Sequence, residues 1–88
     1  MQVTIKLVGP LVDRVPAGSP LGGNPGGPNT IPVADDCNMY RLLQHVGLPP
    51  ELEYFAMINE QHVPSDTLAA RALHDGDSIV LVPPLKGG

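Results

Sequence analysis

One short amphipathic helix limits this chain to a small set of folds. Four apolar residues recur at helical spacing and form a single stripe: Met39, Leu42, Leu43 and Val46. Asn38, or Asp36, can accept the first free N–H groups of this helix. Gly47 stands where a left-handed residue closes a helix, and Pro49-Pro50 prevents continuation. Because one helix cannot cover both faces of a sheet, any sheet in this fold must leave one face uncovered.

Short apolar segments around the helix predict the strands of that sheet. Val3, Ile5 and Leu7 alternate with polar residues, which is typical of a strand with one buried face. Further strands are predicted at 30–33, 55–58, 61–63 and 78–82. Pro32 indicates that the second strand lies at an edge. The sequence therefore predicts an α+β fold: a mixed sheet of four to five strands with one main helix packed on one face.

Glycine and proline dominate residues 9–30, which connect the first two strands. Proline blocks ladder hydrogen bonds and glycine raises the entropic cost of ordering, so we expect a flexible loop without regular structure. No Gly-Lys-Ser/Thr follows these glycines, so they do not form a phosphate-binding loop. The length of 88 residues suits one domain. We predict a single domain over 1–88, with this loop and a mobile C-terminal tail at 84–88.

The last predicted strand departs from the alternation of the first. After the tight turn Asp75-Gly76-Asp77, residues Ile79, Val80, Leu81 and Val82 are all apolar, whereas a sheet covered on one side should alternate. If Ile79 and Leu81 face the helix, Val80 and Val82 lie on the uncovered face. We interpret Val80 and Val82 as a partner-docking patch. The alternative is a central strand with ordinary β-branched residues on its outer face.

Charge and composition exclude several classes of partner. The formal net charge is −4 and the pI is near 5.0, so the chain lacks the basic surface that nucleic acid requires. No apolar run approaches the roughly 18 residues of a membrane span, and the N-terminal residues do not resemble a signal peptide. The single cysteine, Cys37, precludes an internal disulfide framework and fits a reducing compartment. We expect a cytoplasmic protein that binds neither nucleic acid nor membrane.

The titratable residues show no catalytic or metal-binding motif. His45, His62 and His74 come from separate segments without the usual ligand spacing, so we predict no metal site. Cys37 precedes the helix, where the dipole can lower the pKa of a thiol, but an incidental loop cysteine is the simpler interpretation. A domain of this size also has little room for a deep pocket. We predict no catalytic residues and no bound cofactor.

The segment Pro83-Pro84-Leu85-Lys86-Gly87-Gly88 is the strongest functional feature of the sequence. A terminal carboxylate must be activated before acyl chemistry, for example as a mixed anhydride with AMP. Glycines have no Cβ and can pass through a narrow channel to such an activating site. Burial of Leu85 in a partner would contribute about 1.5–3 kcal/mol toward the cost of ordering the segment. We interpret the segment as a carboxyl group presented on a narrow thread.

The order of elements, Asp75-Gly76-Asp77 and the ending Pro83-Pro84-x-x-Gly87-Gly88 together resemble the MoaD/ThiS family of ubiquitin-like sulfur carriers. The resemblance covers residues 1–8 and about 30–88. It implies a β-grasp fold and a partner of the ubiquitin-activating type, which supplies ATP and adenylates the terminal glycine. It also implies that Gly88 then becomes a thiocarboxylate and donates sulfur in cofactor synthesis. The residues implied to enter the partner's active site are Pro84, Leu85, Lys86 and Gly87.

Several acceptors of the sulfur stay open. The Pro83-Pro84 pair favours the molybdopterin branch, whose second partner would be the large subunit of a molybdopterin synthase. Val82 stands where that branch often has an aromatic residue, and the Gly/Pro stretch at 16–29 is longer than the usual loop. Carriers for thiamine or cysteine synthesis are therefore alternatives. The same tail fits a ubiquitin-like modifier joined to lysines, and the fold also fits an interaction module with an inert tail.

Overall fold

The computed structural model describes residues 1–16, 18–21, 26–48, 53–68 and 70–84. All predicted strands and the main helix lie within one residue of their expected bounds. The elements are β1 (Gln2–Leu7), a 3-10 helix (Gly9–Arg14), β2 (Asn29–Pro32), α1 (Met39–Val46), β3 (Phe55–Ile58), β4 (Gln61–Val63), α2 (Ser65–Leu68) and β5 (Ser78–Val82).

The five strands form one mixed sheet in the order β2-β1-β5-β3-β4. β5 lies at its centre, parallel to β1 and antiparallel to β3. The antiparallel strands β2 and β4 form the two edges, so Pro32 lies in an edge strand as predicted. The segment that follows β5 therefore leaves from the middle of the sheet.

One face of the sheet packs against α1. Ile5 and Leu7 of β1, and Ile79 and Leu81 of β5, are buried at alternate positions. They share one hydrophobic core with three residues of α1: Met39, Leu42 and Val46. Leu43, the fourth residue of the predicted stripe, is half-buried at the margin of this core. The alternation that the sequence shows in β1 thus selects the face that the helix covers.

The predicted caps hold both ends of α1. Asn38 Oδ1 accepts a hydrogen bond from the backbone N–H of Arg41 at 2.9 Å, so Asn38 is the N-cap. Gly47 closes the helix with a φ of 83°. The N–H of Leu48 then donates to the carbonyl of Leu43 at 3.1 Å, which is the long bond of a Schellman closure. Leu48 is buried and supplies the apolar contact of that closure.

The connection between β1 and β2 contains more structure than we predicted. Gly9–Arg14 forms a 3-10 helix, with Pro10 near its start, where a missing N–H costs no hydrogen bond. Leu11 and Leu21 are buried in the core. The expectation that residues 9–30 have no regular structure was therefore wrong for this part. Burial of two leucines offsets the entropic cost of ordering the glycines and prolines around them.

The same connection covers the C-terminal end of α1. Ser19 Oγ donates to the carbonyl of Val46 at 2.6 Å, which satisfies one of the carbonyls that a helix leaves unpaired at its end. Pro16 lies so close to Gly47 that a Cβ there would stand 2.8 Å from Pro16 Cγ. Gly47 is therefore required by the available space as well as by its positive φ.

The turn Asp75-Gly76-Asp77 anchors the start of β5. Gly76 has a φ of 84°, which a glycine adopts without strain. Asp77 is only 6% exposed and is the only buried polar residue in the part of the chain that the structure describes. Its carboxylate accepts hydrogen bonds from Asn59 Nδ2 at 2.9 Å and from the backbone N–H of His74 at 2.8 Å. The sequence predicts the turn but not this buried carboxylate.

Candidate functional site

The predicted tail lies mostly outside the described residues. The residues beyond position 84 are Leu85, Lys86, Gly87 and Gly88. Pro83 and Pro84 are described, and both are half-buried directly after β5. The roles assigned to the tail residues therefore stay predictions, while the point from which the tail departs is part of the fold.

The two predicted docking residues lie on the face of the sheet opposite α1. Ile79 and Leu81 are buried in the core, so the pleat of β5 turns Val80 and Val82 to the other face. Both valines are half-buried. Their placement agrees with the geometry that we expected, and their role in docking stays a prediction.

The strand register surrounds these valines with further apolar residues. Met57 of β3 pairs with Val80, and Phe55 pairs with Val82. On the other side of β5, the N–H of Val8 donates to the carbonyl of Leu81 at 3.0 Å. Because Leu7 pairs with Leu81, this bond continues the ladder by one residue and brings Val8 alongside Val82. We call these five residues the open-face patch: Val8, Phe55, Met57, Val80 and Val82.

Two members of the open-face patch are well exposed. Phe55 is 42% exposed and Val8 is 37% exposed. Neighbouring apolar side chains on a free surface often mark a binding site. Sequence reasoning missed Phe55 and Met57. The signal in β3 is the same as in β5, because Phe55-Ala56-Met57-Ile58 is apolar at every position. Ala56 and Ile58 are buried, and Phe55 and Met57 alternate with them. The register between strands is what joins them to β5, and no single strand reveals it.

Polar groups border the patch on two sides. Lys6 pairs with Val80 across the β1–β5 ladder, and its ammonium makes no ion pair with another described residue. His62 pairs with Met57. The imidazole ring of His62 meets the ring of Phe55 edge to face, with centroids 5.7 Å apart and an interplanar angle of 69°. An apolar centre with a polar rim is the common anatomy of a protein–protein interface.

Cys37 does not form a second reactive site. Its side chain is buried, and its Sγ contacts the carbonyl of Asn38 at 3.4 Å. Burial raises the pKa of the Cys37 thiol, and the nearby Arg41 offsets this only in part. The thiolate is therefore disfavoured at neutral pH, contrary to what a helix dipole alone would produce.

The described ranges contain neither a metal-binding cluster nor a helix able to span a membrane. Among those residues, no group of three or more His, Cys, Asp or Glu side chains could hold a metal ion. None of the helices found there is long and apolar enough to cross a membrane. The open-face patch, together with Pro83 and Pro84 beside it, is the candidate functional site among the described residues.

One family model and several solved structures are similar to this chain. A model of the ThiS family matches residues 28–88. Similar solved structures include SAMP1 from Haloferax volcanii, with 17% identity and a TM-score of 0.64, and the thiamine biosynthesis protein ThiS from Geobacter metallireducens, with 18% and 0.63. A structure of the complex of subunits 1 and 2 of the molybdopterin-converting factor from Helicobacter pylori 26695 also matches, with 23% identity and a TM-score of 0.58. Each comparison covers 100% of both chains. No curated protein matches significantly.

These comparisons bear on the fold and on the family separately. The structural neighbours have low sequence identity and establish the fold, which confirms the predicted ubiquitin-like β-grasp. The family model covers more than half of the sequence and runs from β2 through the glycine pair. That match confirms the resemblance seen in the sequence: this chain belongs to the ThiS family.

Proposed function

We propose that this protein is a sulfur carrier in which the carboxyl group of Gly88 is adenylated and then converted to a thiocarboxylate. The observation that carries the proposal is the family match through residue 88, which includes Gly87 and Gly88. The fold supports it because the tail departs from the central strand beside the uncovered open-face patch. In this role the folded domain presents one carboxyl group to other enzymes.

The proposed chemistry begins with activation, because a terminal carboxyl group is ionised at neutral pH and resists nucleophiles. A carboxylate oxygen of Gly88 attacks the α-phosphorus of ATP, pyrophosphate leaves, and an acyl adenylate forms. Sulfide then attacks the acyl carbon and AMP leaves, which produces the thiocarboxylate. Neither Gly87 nor Gly88 has a Cβ, so the carbonyl stays accessible to both reagents.

The open-face patch is the proposed docking surface for the adenylating enzyme. The patch reaches the tail at Val82, so an enzyme that covers it receives the segment after Pro84 in the same encounter. Lys6 and His62 at the rim would fix the orientation of the complex, while the apolar centre supplies most of its stability. ATP belongs to the partner, and this chain acts in the cytoplasm as a protein co-substrate rather than as an enzyme.

Two pathways are candidates for the sulfur. Pro83-Pro84 favours molybdopterin synthesis, with the large subunit of the synthase as acceptor, and one structural neighbour is a complex of two molybdopterin-converting factor subunits. The ThiS family model and the aliphatic side chain of Val82 favour thiamine synthesis. We place molybdopterin synthesis first and thiamine synthesis second.

An intact-mass measurement tests the carrier role. The chain is incubated with an adenylating enzyme, Mg-ATP and sulfide, and we expect the mass change of one oxygen replaced by sulfur, located at Gly88 by fragmentation. A chain without Gly88 should give no such product, while Gly18→Ala, a change remote from the tail, should react normally. An unmodified native chain in a reaction where the enzyme's own carrier is converted would contradict the proposal.

Transfer from the purified thiocarboxylate then separates the pathways. The loaded chain is supplied to the large subunit of a molybdopterin synthase with its sulfur-free precursor, and in parallel to a thiazole-forming enzyme of thiamine synthesis. We expect the first acceptor to take the sulfur, which the return of the native mass reports. Transfer to the second acceptor alone would favour thiamine synthesis and leave the carrier role intact.

A further inference from the structure

β5 has a neighbouring strand on each side, and either neighbour could pair with the residues that follow Val82 and hold them in the sheet. β5 is central and is hydrogen-bonded to β1 on one side and to β3 on the other. Backbone groups of adjacent extended segments pair wherever donor and acceptor can meet. Residues after Val82 that carry an N–H group would therefore tend to extend the sheet rather than leave it.

Successive residues of β5 bond to opposite neighbours. The carbonyl of Leu81 accepts from the N–H of Val8, on the β1 side, at 3.0 Å. The carbonyl of Ser78 accepts from the N–H of Asn59, at the end of β3, at 2.8 Å. The N–H and C=O groups of one residue in a strand point to the same side, and those of the next residue to the other side. The backbone N–H and C=O groups of odd-numbered residues of β5 therefore point toward β1, and those of even-numbered residues point toward β3.

Pro83 and Pro84 each lack the backbone N–H group that another residue would have at that position. The N–H at position 83 would point toward β1, and the one at position 84 would point toward β3. Continuation of the β1 ladder places position 83 opposite the carbonyl of Val8. Continuation of the β3 ladder by two residues places position 84 opposite Glu53. Proline has no N–H group, so neither bond can form. A single proline would end one ladder and leave the other able to continue, which explains why two consecutive prolines stand here.

The neighbouring strand turns away at the same level. Gly9 directly follows the last bond from β1 into β5 and has a φ of 63°, which starts the 3-10 helix. The ring of Pro83 packs on this turn, because a Cβ on Gly9 would stand 3.6 Å from Pro83 Cγ. Pro83, the residue just before the tail, is thus held against the turn although its backbone nitrogen is not bonded to the sheet.

We propose that Pro83 and Pro84 are positioning residues, each of which ends pairing on one side of the central strand. Together they release the segment after Val82 from the sheet, and the contact of Pro83 with Gly9 sets where it leaves. The use of the released segment rests on the proposed carrier function. The release itself follows from the register and the chemistry of proline alone.

Amide hydrogen exchange in the full chain tests the release directly. Pro83→Ala, Pro84→Ala and the double variant each create new N–H groups, whose exchange NMR can follow. A carbonyl oxygen has two acceptor positions, so existing bonds to the facing carbonyls do not prevent a second one. We expect each new N–H to exchange about tenfold more slowly than an exposed amide, the effect of one net backbone hydrogen bond.

Pro32→Ala is the matched control in the same sheet. Pro32 lies in the edge strand β2, and the next residue, Val33, donates its N–H to the carbonyl of Met1 at 2.8 Å. The nitrogen of Pro32 therefore faces away from β1, and its new N–H should exchange without protection. Exchange at 83 and 84 as fast as at 32 would overturn the proposal. Protection at only one of the two positions would overturn the claim that both prolines are required.

Adenylation kinetics connect the release with the carrier role. With the adenylating enzyme and Mg-ATP, we expect the double variant to raise KM by about tenfold to a hundredfold with kcat unchanged, because one or both of the new bonds, each worth about tenfold, must open before the tail binds. An unchanged KM would overturn the positioning role. If the native chain is not adenylated at all, the proposed carrier function fails, whereas the exchange measurement still decides whether the prolines release the tail.

Discussion

The two ends of β5 differ more than any other pair of regions in this molecule. At its start, Asp77 is buried and its carboxylate holds Asn59 and the backbone of His74, while its carbonyl accepts from the N–H of Thr4 at 2.9 Å. At its end, two prolines offer no donor to either neighbour. One strand is thus anchored where it enters the sheet and released where it leaves.

This difference shows how a small domain can be rigid and still present a free end. The anchored start needs groups from three separate segments, so it depends on the whole fold. The released end needs only residues that lack a hydrogen-bond donor, so two adjacent residues of the sequence are enough to determine it. Stability and presentation are therefore assigned to opposite ends of the same strand, and changes at one end should leave the other intact.

The largest effect on stability is expected at the anchored start. Asp77→Ala leaves the amide of Asn59 and the N–H of His74 without their acceptor, so we expect the free energy of unfolding to fall by about 3 kcal/mol. Urea denaturation measures this loss. Asp75→Ala is the control, because its exposed Oδ1 accepts a single bond, from the N–H of Gln2 at 2.8 Å. It should cost about 0.5–1 kcal/mol, and equal losses in the two variants would contradict the anchoring role of Asp77.

The open-face patch beside the released end should matter for binding and little for folding. Phe55→Ala removes an exposed ring from the patch, and we expect the affinity for the adenylating enzyme to fall by about 2 kcal/mol, the size of an interface hot spot. Calorimetry or surface binding measures the loss. Tyr40 offers a matched control, since it is 54% exposed but lies on α1. If Tyr40→Ala weakens binding as much as Phe55→Ala, docking does not use the open face.

Local patterns account for most of what the sequence predicts correctly. The caps at Asn38 and Gly47, and the alternation along β1, depend on residues within one or two turns of the chain. The bond between Asn59 and Asp77 joins residues 18 positions apart, and Phe55 meets Val82 only through the strand register. Leu21 lies in a Gly/Pro-rich stretch without periodicity, so its burial has no local signal. The anchored end and most of the open-face patch were therefore not predictable from one sequence.

A smaller effect is expected where the turn of β1 meets the tail. Gly9→Ala places a side chain at a φ of 63°, which costs about 1–2 kcal/mol of stability, and it disturbs the contact with Pro83. Gly18→Ala is the matched control, because Gly18 has a φ of 87° with no atom within 4 Å of an added Cβ. Both variants should lose stability, but only Gly9→Ala should shift the NMR signals of Pro83 and raise KM for adenylation. Equal KM values would exclude a role for this contact in presenting the tail.

The smallest effect is expected at the turn that contains Asn59, the residue bonded to Asp77, and it tests whether this turn is strained. Asn59 and Glu60 form the turn between β3 and β4 with φ values of 53° and 70°. Asparagine tolerates this conformation, whereas glutamate does so at a cost, and Asn-Gly is the preferred pair in such hairpins. Glu60→Gly should therefore raise the free energy of unfolding by about 0.5–1 kcal/mol, part of the gain being offset by the greater freedom of glycine in the unfolded chain. Glu60→Ala removes the same carboxylate and keeps the strain, so it should bring no such gain. If the two variants are equally stable by urea denaturation, the hydrogen bonds of Asn59 to Asp77 and Ser78 hold this turn without measurable strain.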